Sequence, residues 1–117
     1  SLGEAIGFRS SSADLLDGAG PILEEVRRLA AAMPDLAIAV EGHTDDRPIQ
    51  GGRYASNLEL SLARAARVAQ ALAADDPALQ GRIVATGRGE HRPVASNADA
   101  AGRARNRRVE IRLESGR

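Results

Sequence analysis

The sequence predicts a two-layer α/β or α+β sandwich, with two main helices packed on one sheet. Helical and alternating segments interleave in the order strand–helix–strand–helix–strand–strand, and that order suits helices laid on a sheet. A length of 117 residues with 43% hydrophobic content fits one domain with a single core and is too short for two. No tandem repeat or low-complexity linker divides residues 1–117, which are read as a single domain.

Each element has its own signal. Ile6 and Phe8 suggest a short first strand, followed by a serine-rich turn. From about Gly18, with Pro21 tolerated in the first turn, Ile22, Val26, Leu29, Ala30 and Met33 recur at helical spacing until Pro34 stops them. Leu36, Ile38 and Val40 alternate with Ala37, Ala39 and Glu41, the pattern of a half-buried strand ending at Gly42. Ser56 with Glu59 three residues later reads as a capping box, so a second helix is expected from Asn57 to about Asp75. Ile83–Thr86 reads as a third strand and Gly87 to Ala101 as an irregular loop. Val109, Ile111 and Leu113 then alternate with Arg108, Glu110 and Arg112, the clearest strand signal in the chain.

Composition removes several function classes. With one Phe, one Tyr and no Trp, the core must be built from aliphatic side chains. Cysteine is absent, which excludes thiolate catalysis and thiolate metal sites. No apolar run approaches a membrane span and Ser1–Gly3 does not resemble a signal peptide, so the chain is expected to be soluble as given, as an excised domain would be. Net charge is zero but unevenly spread: residues 1–81 carry seven Arg against twelve acids, and residues 82–117 carry nine Arg against four. All sixteen cations are arginine, whose planar fork suits carboxylate or phosphate.

The second helix and the loop before it carry the candidate site. At about 100° per residue, Leu58, Leu62, Ala65, Ala69 and Leu72 share the stripe expected to face the sheet, while Asn57, Leu60 and Arg64 fall on another. Leu60 there is either a pocket wall or a semi-exposed leucine beside a solvated arginine. A strand ending at Glu41–Gly42 delivers His43, Thr44 and Asp45 to the carboxyl edge of the sheet, where open α/β sheets bind ligands. Asp45 and Arg64 would then flank one depression and suit a zwitterion, the ammonium on the carboxylate and a carboxylate on the fork. Alternatively they pair with each other, or Asp45 caps a turn.

The runs "GHTD" at Gly42–Asp45, "NLELSLARA" at Asn57–Ala65, "GRGE" at Gly87–Glu90 followed by Pro93 and Asn97, and "GRARNRRVEI" at Gly102–Ile111 resemble the OmpA/MotB C-terminal domain. The resemblance extends back to "FRSSSADL" at Phe8–Leu15 and spans almost the whole chain. It implies a βαβαββ OmpA-like fold on a mixed sheet, and non-covalent binding of peptidoglycan through the diaminopimelate of the stem peptide. In that family the motif aspartate meets the ligand's ammonium and the helix arginine its carboxylate, here Asp45 and Arg64. Thr44, Asn57 and Leu60 match positions lining the same pocket, and Arg107 and Arg108 match the terminal arginine pair, without a choice between them. "DDRPI" and "SNLELS" resemble the MotB side, the flagellar stator proteins and their relatives. The resemblance further implies a periplasmic domain tethered to a membrane through a segment outside this chain, a non-enzymatic role, no cofactor, and homodimerisation.

Other chemistries fit less well. His43, Asp45, Asp46 and His91 are crowded on loops without recognised metal spacing, so no metal is expected. Neither a nucleophile elbow nor a Ser/His/Asp set in context is present, and "GRGE" lacks the glycine spacing and lysine of a phosphate loop. The rival of another class is nucleic-acid binding by the arginine-rich C-terminal half. Its strand shows only alternate residues outward and it has no stacking aromatics.

Overall fold

The computed structural model describes residues 2–74 and 76–115. Its elements run β1 (Leu2–Gly7), α1 (Ala19–Ala32), β2 (Leu36–Gly42), α2 (Asn57–Ala73), α3 (Pro77–Gln80), β3 (Ile83–Gly87), α4 (Ala100–Asn106) and β4 (Arg108–Ser115). The four strands form one mixed sheet in the order β1-β4-β2-β3. β4 lies antiparallel to both β1 and β2, and β2 is parallel to β3 across the α2 crossover. This is the expected two-layer α+β arrangement, with two short helices added.

Both additions have local causes. Asp76 caps α3 by accepting from Ala78 N, with Pro77 in the first turn. Asp99 caps α4 by accepting from Gly102 N, so the segment after Gly87 turns helical at Ala100. The second long helix ends at Ala73, and the expected end near Asp75 lies outside the described residues. Its start is as expected: Ser56 Oγ accepts from Glu59 N at 3.1 Å.

The core sits between the helices and one sheet face. Ile38, Val40, Val109, Ile111 and Leu113 point inward from β2 and β4 and meet Val26 and Ala30 of α1 and Ala65, Val68 and Leu72 of α2. The alternation read for the last strand is therefore correct.

The expected orientation of α2 is not. Leu58 and Leu62 are 58% and 48% exposed, Ala69 is only partly buried, and the buried stripe runs through Leu60, Ser61, Arg64, Ala65, Val68 and Leu72. Two glycines explain the rotation. A Cβ on Gly42 would stand 1.8 Å from the Ser61 carbonyl oxygen, and one on Gly87 would stand 2.8 Å from Leu62 N and from Ser61 Oγ. With no side chain at either position, the helix backbone descends onto the ends of β2 and β3 at Ser61. Ser61 Oγ donates to Leu58 O and accepts from Gly89 N, which fixes that contact. Leu58 and Leu62 are left on the outer flank.

Candidate functional site

β2 ends under the first turns of α2, and the chain beyond it is held on both sides. His43 N donates to Arg108 O, Thr44 N to Gly89 O, and Arg88 N to Gly42 O. His43, Thr44 and Asp45 are consequently buried although they open a loop. Thr44 Oγ1 donates to Asp45 O at 2.7 Å.

Asp45 has two partners. Its Oδ1 accepts from Arg47 N at 3.0 Å, an Asx-type turn, and its Oδ2 accepts from Arg107 at 3.1 Å. Arg107 also donates through Nε to Phe8 O, which ties the start of β4 to the end of β1. Of the alternatives open in the sequence, Asp45 thus caps a turn, and its ion-pair partner is Arg107 rather than Arg64.

Arg64 is fully buried on α2 and spends its fork on backbone. Nε donates to Ser12 O at 2.8 Å, and the two terminal nitrogens donate to His43 O and Arg9 O, each at 2.9 Å. A guanidinium has five N–H groups, so two remain beyond these three bonds. The Phe8 ring lies 5.3 Å below the guanidinium carbon, within cation–π range. Burial pushes the Arg64 pKa down to about 10; the nearby Asp45 carboxylate opposes that shift and Arg107 adds to it. The β1–α1 loop that supplies two of the carbonyls contains Ser11 at φ 54°, a left-handed conformation uncommon outside glycine.

Asn57, the first residue of α2, spans three segments: its Nδ2 lies 3.5 Å from Asp45 O, 3.1 Å from Arg47 O and 3.3 Å from Glu90 Oε1. Leu60 is 2% exposed, one turn before Arg64. Asp45, Thr44, Asn57, Leu60, Arg64 and Arg107 therefore gather at one end of the sheet.

Arg108 does not join them. Its side chain lies on the opposite sheet face, donating to Glu110 at 2.7 Å, Arg92 O at 2.9 Å and Asn106 O at 3.3 Å. Glu90, Phe8 and the carbonyls of Arg9 and Ser12 belong to the cluster and were not singled out in the sequence. Carbonyl positions carry no residue-type signal, and Glu90 reaches Asn57 from 33 positions away.

Residues 7–107 match the OmpA family. The chain belongs to the OmpA family. Motility protein B of Bacillus subtilis is 38% identical to this OmpA-family domain over 109 residues, 92% of the chain and 41% of that protein. The peptidoglycan-binding protein ArfA of Mycobacterium tuberculosis is also 38% identical over 109 residues, 93% of the chain and 32% of its own length. Among solved structures, the cell wall anchor of the T6SS from Pseudomonas aeruginosa superposes with a TM-score of 0.80 at 42% identity, covering 97% of this chain and 80% of that one. The domain thus spans less than half the length of these curated relatives. Among its described residues no helix is long and apolar enough to cross a membrane.

Proposed function

We propose that the domain binds peptidoglycan non-covalently through the diaminopimelate of the stem peptide, and so anchors a longer, membrane-tethered protein to the cell wall from the periplasm. The observation that carries this reading is that one carboxylate, Asp45, ion-paired with Arg107, lies close enough to the buried Arg64 guanidinium to act on its charge, at the carboxyl edge of the sheet. The names of the relatives, a peptidoglycan-binding protein and a cell wall anchor, support the same class of ligand.

The roles follow from charge. Asp45 accepts the ligand's ammonium, replacing Arg107 as its cationic partner. Arg64 offers its remaining N–H groups to the ligand carboxylate, and Asn57, Thr44 and Leu60 border the pocket. Arg108, turned to the other face, is left out. The domain acts as a binder rather than an enzyme. Likeness to Motility protein B supports a host that serves motility. The outward arginines of β4 are matched by their own acids, Arg108 with Glu110 and Arg112 with Glu41, so tracking of a nucleic-acid backbone is not favoured.

The test is co-sedimentation with sacculi. The domain should pellet with diaminopimelate-type sacculi and much less with lysine-type sacculi, whose side chain lacks the second carboxylate. Equal pelleting with both would remove the reading. Asp45→Asn exchanges an ionised acceptor for a neutral amide, and charge-assisted bonds are worth roughly 1.5–3 kcal/mol against about 1 for neutral ones. Binding should fall about tenfold or more, while stability falls by only about 1 kcal/mol through loss of the Arg107 pair.

A further inference from the structure

The open face of the sheet carries a second cluster that the peptidoglycan reading does not use. Glu41 of β2 and Glu110 of β4 are direct cross-strand partners, and Arg112 reaches both, Glu41 at 2.9 Å and Glu110 at 3.6 Å. His43 follows two residues after Glu41. Its side chain is enclosed, the residue being 1% exposed, yet neither ring nitrogen has a hydrogen-bond partner among the described residues. Buried polar groups are nearly always satisfied. A depression of about 380 Å³, bordered by Glu41, His43, Glu110, Arg92, Arg108 and Arg112, opens beside them.

The distances suit a shared ion. One donor atom from each of Glu41, His43 and Glu110 lies within 4.8 Å of the others. Glu41 Oε1 and His43 Nε2 are 3.4 Å apart without forming a hydrogen bond. Two ligands at about 2.0–2.1 Å from a tetrahedral metal stand roughly 3.3–3.4 Å from each other, so this edge is already set. The carboxylates are also oriented: Glu41 Oε2 accepts from Arg88 and Arg112, and Glu110 Oε2 from Arg108. Hydrogen bonds to ligating carboxylates are the usual outer support of a metal site.

We propose that Glu41, His43 and Glu110 form a divalent-cation site of the zinc class, on the sheet face away from the Asp45–Arg64 cluster. One imidazole and two carboxylate oxygens form a three-ligand set with an open fourth position. Arg88, Arg108 and Arg112 oppose a cation by their charge, which places the affinity below that of a closed structural zinc site. His43 from the local motif and Glu110 from the last strand are 67 positions apart, so no spacing rule could have grouped them; His91, Asp45 and Asp46 take no part.

The metal alone tests this, independently of any sacculus. Zn2+ at tenfold excess over its Kd should raise the melting temperature of the domain by about 5 °C over the EDTA-treated protein. Co2+ should give the visible absorption of a tetrahedral site. Glu110→Gln, at a part-exposed position, and His43→Gln should each weaken Zn2+ binding at least tenfold; should His43→Gln fail to fold, Glu110→Gln carries the test. No Zn2+-dependent shift in the parent, or an unchanged Kd in Glu110→Gln, would overturn the proposal.

Discussion

Two charged side chains of this fold are both buried, Arg64 at the end of the sheet and Glu41 on its open face, and they are accommodated in opposite ways. Glu41 meets two guanidinium groups, Arg112 foremost, and its pKa is lowered to about 2. Arg64 donates its hydrogen bonds only to carbonyl oxygens; among the described residues no carboxylate lies within ion-pair distance, and burial lowers its pKa to about 10. For Glu41 pairing outweighs desolvation, and for Arg64 desolvation outweighs everything else. A charge whose ionised form the fold itself favours looks like Glu41. One whose charged form the fold disfavours, and which keeps N–H groups in reserve, is a candidate for meeting an anion that arrives from outside.

The largest expected effect tests the Arg64 side of this contrast. Arg64→Ala leaves the carbonyls of Arg9, Ser12 and His43 unpaired and opens a cavity, a loss of about 3–5 kcal/mol by urea denaturation. A loss below about 1 kcal/mol would mean that these bonds do not organise the β1–α1 loop. Arg64→Lys keeps a charge and three donors and should fall between the two.

Glu41→Gln tests the other side and should cost about 1–3 kcal/mol at pH 7. Because its folded pKa lies below the ordinary 4.5, Glu41 contributes stability in full above that value and loses it as pH falls toward 2. His43, held below its ordinary 6.5 first by burial and next by Arg108, is neutral in the fold. Stability should therefore begin to decline as pH drops below 6.5, before the Glu41 window opens. Denaturant titrations from pH 7 to 3 should show both limbs in the parent and only the upper one in Glu41→Gln.

Arg107→Ala should be milder, about 1 kcal/mol, since Asp45 keeps the Arg47 N–H bond. A larger loss in melting than in sacculus binding would assign the Asp45–Arg107 pair to folding rather than to the ligand. The smallest effect belongs to Leu58→Ser and Leu62→Ser, each expected within about 0.5 kcal/mol; a loss of several kcal/mol would return these leucines to the core.

Periodicity reached α1, β2 and β4 because each has a solvent side and a core side that differ in residue type. It misjudged α2 because that rule sends arginine outward, whereas Arg64 is buried by three carbonyls from other segments, and because Gly42 and Gly87 set how closely the helix approaches. The helices α3 and α4 are too short for their stripes to register, although Asp76 and Asp99 stood at their starts. In the cluster at the end of the sheet, the motif placed Asp45 and Asn57 side by side. The pairing of Asp45 with Arg107 across 62 positions, and the parting of Arg107 from Arg108 to opposite faces, depend on strand register. Resemblance could nominate both arginines but not choose between them.

The placement of β1 bears on mechanics. It runs along the edge of the sheet from Leu2 to Gly7, paired throughout with β4 and ending beside Arg107. Tension between Leu2 and a grip at Asp45 acts along the strand axis. All six paired positions are then loaded in shear and must give way together; a pull across the strand would peel them one at a time. Under the proposed role, a ligand held at Asp45 would load the sheet along the direction in which these pairs resist together.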